Sequence, residues 1–469
     1  MRILAVDQGT TSTRALVLDE SGAEVIHAAE HRQILPGPGR VEHDPLELLA
    51  NVRAVLEAAG TVDAIGLDNQ GESCLAWHAE TGEPLSPVIV WQDSRTQDRI
   101  EALKAQGAEE LTKARAGLPL DPYFSASKLA WILETSPEAR ALAARGKLRL
   151  GTTDAFFLQH LTGRAATDAA TASRTSLMDL RTGAWDEELC RLFGVPVEAL
   201  PPIRPNVAHY GDTPNGPVTA AVVDQQAALY GHGCRAAGDA KITFGTGAFA
   251  LALTGNEAVM DNPDGLVPTL AWRIGDAPAQ YAVDGGVYNA SSALDWARGL
   301  GLFRDFAEID DFEGPAAVER GLCFVPALSG LACPHWDRSA GALWIGMSLD
   351  TSPADLVRAV IEGVALRTAE VVAALDRTVG PGPSISIDGG LSRNRYFCRF
   401  LADTLGRTVS VATMPELTAL GTAELAALGA GFSPPPRERA ALVHEPGEVD
   451  RATRMRRFAE AVGRARRWR

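Results

Sequence analysis

Apolar positions in this chain come in short runs punctuated by Gly, Asp, Ser and Thr, and the runs alternate between two periods. Residues 2–6 (Arg-Ile-Leu-Ala-Val) are mostly apolar and stop at Asp7-Gln8-Gly9-Thr10-Thr11-Ser12-Thr13-Arg14. A second run, Ala15 to Leu18, ends in the turn composition Asp19-Glu20-Ser21-Gly22. The pattern predicts strand, Gly/Thr turn, strand, turn and strand over residues 1–35. Asp44 and Pro45 then offer the N-cap and first position of a helix reaching about Ala59, with Leu46, Leu49, Val52 and Leu56 on one face. Val62 to Leu67 reads as a largely buried strand that delivers Asp68-Asn69-Gln70-Gly71-Glu72. Such alternation predicts an α/β architecture.

Near residue 240 the pattern restarts. Ala240 to Phe244 is a short strand feeding Gly245-Thr246-Gly247, and Phe249 to Leu253 is the strand after it. A third glycine turn, Asp388-Gly389-Gly390, follows the strand Ser384 to Ile387 and precedes a helix from about Asn394 to Leu405, with Phe397, Phe400 and Leu401 on one side. Two strand–turn–strand units in 469 residues predict two domains of related design, 1–234 and 235–469, divided near Gly233 to Asp239. Ser433 to Arg439 reads as a connector to the terminal helices. There Arg451, Arg454, Arg456, Arg457, Arg464, Arg466, Arg467 and Arg469 interleave with Phe458, Val462 and Trp468, an amphipathic helix docked by its apolar side.

Composition narrows the function classes. A net charge of -15 repels nucleic acid and anionic membranes. Neither a membrane-length apolar run nor a secretory pattern is present in the sequence, and six scattered cysteines without zinc spacing read as reduced thiols. The expectation is a cytoplasmic protein. His27-Ala-Ala-Glu30-His31 fits a zinc-protease pattern, but that pattern needs a helix and this segment reads as strand.

Positive chemistry starts at Asp7. A carboxylate for a hydrated Mg²⁺, a glycine for close approach, hydroxyl donors and an arginine for bidentate phosphate contact all fall within residues 7–14. Alone, the same residues also make an ordinary Gly-Thr turn. Recurrence as Phe244-Gly-Thr-Gly247 and Asp388-Gly-Gly390 favours phosphate, and the sequence has neither a Walker P-loop nor a GxGxxG fingerprint.

These motifs resemble the FGGY carbohydrate kinases of the actin-like, ribonuclease-H-like ATPase superfamily, most closely the glycerol kinases. The resemblance spans nearly the whole chain: Val6 to Arg14, Asn69-Gln70 with Glu72, Val90-Trp-Gln-Asp93 with Arg95-Thr96, Leu118 to Ser125 with Lys128, and Ala172-Ser-Arg-Thr175. It continues through Asp224 to Leu229, Phe244 to Gly247, Leu331 to Asp337, Asp388 to Gly390 with Asn394, and Thr418 to Gly421. It implies two actin-like domains closing over ATP, Mg²⁺ and a small polyol or sugar, and a homodimer or tetramer.

By that resemblance Asp224 activates the acceptor hydroxyl, although an aspartate there also suits a helix cap. Glu72, Tyr123, Asp224 and Gln225 hold acceptor hydroxyls, while Trp91 and Phe249 lie against the carbon skeleton. Asp7 serves the metal. Thr10, Thr11, Ser12, Arg14, Gly245 and Thr246 serve the phosphates, and Gly390 and Asn394 the adenosine. Three positions depart from the glycerol kinase pattern. Gly71 stands where those enzymes carry Arg, which leaves four- or five-carbon polyols and ketoses beside glycerol as acceptors. Ser291 and Asp295 stand where they carry Gly and Gln near the nucleotide. An actin-like ATPase switch is the rival class, and it has no use for the cluster Glu72, Trp91, Tyr123, Asp224.

Overall fold

The computed structural model describes all residues except 263, 415, 435–440 and 469. Its two principal sheets share one plan. In the first, the strands run in the order Val207–Thr213, Gly216–Val223, Ala64–Asn69, Arg2–Gln8, Ser12–Asp19, Ala23–Glu30. Arg2–Gln8 pairs antiparallel with Ser12–Asp19 and parallel with Ala64–Asn69, which in turn is parallel to Gly216–Val223. The second sheet repeats this arrangement. Ala240–Phe244 pairs antiparallel with Ala248–Gly255 and parallel with Ser384–Gly389, which is parallel to Thr408–Ala412. Each sheet thus joins an antiparallel meander to parallel strands, and each carries a Gly/Thr turn between its first two strands.

Arg2–Gln8 is buried along almost its whole length, which explains its near-continuous apolar run. Helices Asp224–Gly231 and Leu417–Gly429 lie together against the first sheet, and one apolar core joins them to Ile3, Ala5 and Val222 from that sheet and Leu251 and Leu253 from the second. Their backbones touch. A Cβ added at Gly421 would stand 2.0 Å from the Ala227 carbonyl oxygen, and one at Gly231 would stand 1.9 Å from that of Leu417. Only glycine permits that approach. The twenty-seven-residue helix Pro353–Val379 belongs to the core of the second sheet.

Local expectations fare unevenly. Asp44 caps the helix Pro45–Ala59 by accepting from the Leu46 N–H. Leu46 itself is exposed, because the buried stripe runs through Leu48, Leu49, Val52, Val55, Leu56 and Ala59, one position out of phase with it. Asn394 caps the helix Arg395–Leu405. His27 and Glu30 lie on the strand Ala23–Glu30, so the zinc-protease geometry is not formed. The terminal helix Arg451–Ala465 docks through Phe458, Ala461, Val462 and Ala465. Arg454 is buried there against Glu319 at 2.6 Å, whereas Trp468 lies beyond the helix and is exposed. Much of the Ser433–Arg439 connector, and Arg469, lie outside the described residues. Among the described residues no helix is long and apolar enough to cross a membrane, and all six cysteines are buried.

Candidate active site

Both Gly/Thr turns open onto one cavity of about 150 Å³. Thr10 comes from the first turn, and Gly245, Thr246 and Gly247 from the second. The same cavity collects Glu72, Trp91, Tyr123, Asp224, Gln225 and Phe249, so the acceptor residues expected from the sequence meet around one space. The Trp91 indole N–H donates to the Thr10 hydroxyl at 3.1 Å, tying the acceptor wall to the first turn. Its ring meets Tyr123 and Phe249 edge-on at 5.8 and 6.0 Å.

A larger cavity of about 750 Å³ contains Ser291, Leu294, Phe306, Gly390 and Asn394. Ser291 links it to the first cavity, because its N–H donates to the Gly245 carbonyl at 3.1 Å. Asn394 contributes chiefly by position: its side chain accepts from the Phe397 N–H at 2.7 Å and donates to the Ile309 carbonyl at 2.7 Å. Asp295 plays no part in this cavity's lining; it pairs with Arg298 at 3.0 Å on the exposed side of helix Ser291–Gly299. Asp7, Thr11, Ser12 and Arg14 line neither cavity. They sit on the first hairpin with Thr10, where Arg14 donates to Glu416 at 3.0 Å.

Asp224 opens its helix directly after the strand Gly216–Val223. Its Oδ1 accepts from the adjacent Gln225 N–H at 2.7 Å, so the carboxylate is oriented by its own helix start while still lining the cavity. Burial, then the negative charge of Glu72, push its pKa up to about 7, against the Gln225 N–H and the Lys241 ammonium. A carboxylate near neutrality is matched to general-base work. Glu72 is held with φ at 58°, a left-handed conformation that a non-glycine residue keeps only under constraint. Arg174 supplies part of that constraint, its Nε–H donating to Glu72 Oε1 at 2.6 Å.

Asp7 and Asp68 stand opposite each other in register on adjacent parallel strands. Burial raises the pKa of both, Asp68 the more because the Asp7 charge adds to it. Asp68 Oδ2 accepts from the Thr422 hydroxyl at 2.7 Å, and its carboxyl shares a side-chain hydrogen bond with Asp7. Burial and the Asp7 charge favour the protonated form of Asp68, so the pair holds a shared proton and one negative charge that a cation could meet.

The family models of the FGGY family of carbohydrate kinases match residues 2–231 for the N-terminal domain and 240–430 for the C-terminal domain. The chain belongs to the FGGY family of carbohydrate kinases. A glycerol kinase of Thermus brockianus is 41% identical, with 99% of each chain covered. One from Haloferax volcanii is 40% identical over 91% of this chain and 89% of its own. Among solved structures, Plasmodium falciparum glycerol kinase with ADP superposes with a TM-score of 0.90 at 30% identity, covering 99% of this chain and 98% of that one. A ligand-bound xylulose kinase from Lactobacillus acidophilus shares the fold with a TM-score of 0.86 at 21% identity, covering 98% and 96%.

Within this FGGY chain, residues in or near the cavity for which the sequence suggested no role also stand out. Arg174 is one, although its Ser-Arg-Thr motif was visible. It bridges Glu72 to Asp284, donating to the latter at 3.0 Å. Lys241 is fully buried and donates to Gln225 Oε1 at 2.5 Å and to the Thr243 hydroxyl at 2.9 Å. Glu416 heads the helix Leu417–Gly429 just after the strand Thr408–Ala412, the place in the second half that Asp224 occupies in the first. A lysine in an apolar strand and an acid at a helix start were the available signals.

Proposed function

We propose that this FGGY kinase transfers the γ-phosphoryl group of ATP to a terminal hydroxyl of glycerol, giving glycerol 3-phosphate and ADP. The observation that carries the reading is the single cavity in which both Gly/Thr turns meet Asp224 and Glu72. The glycerol kinase relatives, one of them with ADP, support the choice of donor and acceptor.

Glu72, Tyr123 and Gln225 hold the acceptor hydroxyls, and Trp91 and Phe249 cover its carbon skeleton. The reacting hydroxyl gives its proton to Asp224 as its oxygen bonds to phosphorus and the bond from phosphorus to the ADP oxygen breaks. Phosphoryl transfer of this kind depends mainly on positioning and charge stabilisation, so one oriented carboxylate suffices as base. Backbone N–H groups at Gly245 and Thr246, the hydroxyls of Thr10, Thr11 and Ser12, and the Arg14 guanidinium hold the phosphates. Adenosine occupies the cavity beside Gly390 and Asn394. Asp7, whose carboxylate Asp68 supports by a hydrogen bond, would hold Mg²⁺, which neutralises charge on the transferring phosphate when bound.

Division at 234/235 into an acceptor half and a nucleotide half, a cytoplasmic location and a homodimeric or tetrameric state complete the proposal. A coupled ADP-release assay tests the function. ADP release with ATP and Mg²⁺ should be negligible alone and rise at least about 10²-fold with glycerol. Turnover indifferent to every acceptor would turn the reading toward an ATPase switch.

A further inference from the structure

The acceptor cavity has polar capacity left over once a three-carbon acceptor is placed. Glycerol's hydroxyls are accounted for by Asp224, Gln225, Glu72 and Tyr123. Beyond them lies the pair Arg174 and Asp284. Arg174 is 4% exposed, and two of its nitrogens are committed, Nε to Glu72 and Nη2 to Asp284. Its third, Nη1, and the Asp284 Oδ1 are both buried without a hydrogen-bond partner. One is a donor and the other an acceptor, on side chains already joined. A hydroxyl is the small group that is both acceptor and donor.

Space continues past the pair. Tyr123, Arg174, Phe249 and Asp284 also line a second, smaller cavity that continues toward Val267 and Ala332. At the opposite end Gly71 packs closely, since a Cβ there would stand 2.8 Å from Val223 Cγ2 and 4.0 Å from Asp224 Oδ1. A longer side chain at residue 71 would crowd the region beside the base.

We propose that this site also accepts tetritols, polyols one carbon longer than glycerol, with the additional hydroxyl donating to Asp284 Oδ1 and accepting from Arg174 Nη1. The inference rests on the kinase reading above, and the chemistry is unchanged. The terminal hydroxyl at Asp224 loses its proton to that carboxylate, its oxygen bonds to the γ-phosphorus, and ADP leaves.

The decisive comparison uses the unaltered enzyme. Its kcat/KM is measured with glycerol, erythritol, D- and L-threitol, and butane-1,2,3-triol, which matches a tetritol in carbon number but lacks the additional hydroxyl. At least one tetritol should fall within about tenfold of glycerol and exceed the butanetriol by at least about tenfold, because a site built to bond a hydroxyl rejects the analogue without it. Asp284→Glu, which keeps the charge opposite Arg174 but moves the free oxygen, should lower the tetritol-to-glycerol ratio at least about tenfold. Glycerol turnover with no tetritol turnover, or a butanetriol as good as the tetritol, overturns the inference and leaves the kinase reading standing. A tetritol ratio unmoved in Asp284→Glu overturns the assignment to this pair. Failure of every polyol, glycerol included, overturns the kinase reading itself.

Discussion

Replacing Asp224 by Asn changes one atom and removes the proposed base, and its consequences can be worked out for activity and stability together. With the Asp224 pKa raised to about 7, roughly one molecule in eleven carries the ionised carboxylate at pH 6. The kcat/KM for glycerol should therefore fall about tenfold from its alkaline plateau to pH 6, with unit slope below the break. Asp224→Asn should abolish that limb and lower kcat by at least about 10²-fold. Stability should move the other way. The native protein holds a proton on Asp224 that the unfolded chain, with its ordinary value near 3.8, has released, so native stability falls as pH rises from about 4 to 7. Asn carries no such penalty. At pH 8 the variant should be the more stable protein, by at most about 4 kcal/mol, and the advantage should shrink as pH falls through 7 toward 4. Initial rates in the coupled assay across pH 5.5–8.5 and thermal unfolding over the same range read both effects. A flat wild-type profile would refute the raised pKa, and an Asn variant as fast as wild type would remove Asp224 from the mechanism.

Other expectations follow from neighbouring contacts. Glu416 holds Arg14 at 3.0 Å. Glu416→Gln should lower kcat/KM for ATP several-fold in the wild-type background and add nothing in Arg14→Gln, since a residue acting through another is non-additive with it. Asp7→Asn should raise the Mg²⁺ concentration for half-maximal turnover about 10-fold or more, read by Mg²⁺ titration at fixed ATP. Gly421→Ala places a Cβ 2.0 Å from the Ala227 carbonyl oxygen, where no flexible side chain can yield. Thermal or denaturant unfolding should register a loss of about 1–3 kcal/mol, and unaltered stability would contradict the close helix crossing.

Features set by neighbours in the chain were the legible ones. The first hairpin could be read because a buried central strand must be continuously apolar and a tight turn needs Gly and small hydroxyls, and Arg2–Gln8 with Gly9-Thr10-Thr11 satisfies both. The two related units were readable for the same reason. Leu46 misled because a leucine beside a helical stripe is indistinguishable by type from one within it. The charged interior of the site depends on contacts too remote to infer from spacing. Arg174 meets Glu72 from 102 residues away and Asp284 from 110, and Arg14 meets Glu416 across 402. Gly71 was legible as a missing guanidinium. That the position packs against Val223 beside the Asp224 carboxylate required the fold.

The central claim, phosphoryl transfer from ATP to a glycerol hydroxyl at Asp224, is tested most directly by ³¹P NMR of a reaction holding ATP, Mg²⁺ and glycerol. The account predicts one glycerol 3-phosphate for each ADP formed, with negligible inorganic phosphate, and loss of that product signal in Asp224→Asn. Inorganic phosphate in place of the ester, formed at the same rate with or without glycerol, would contradict it.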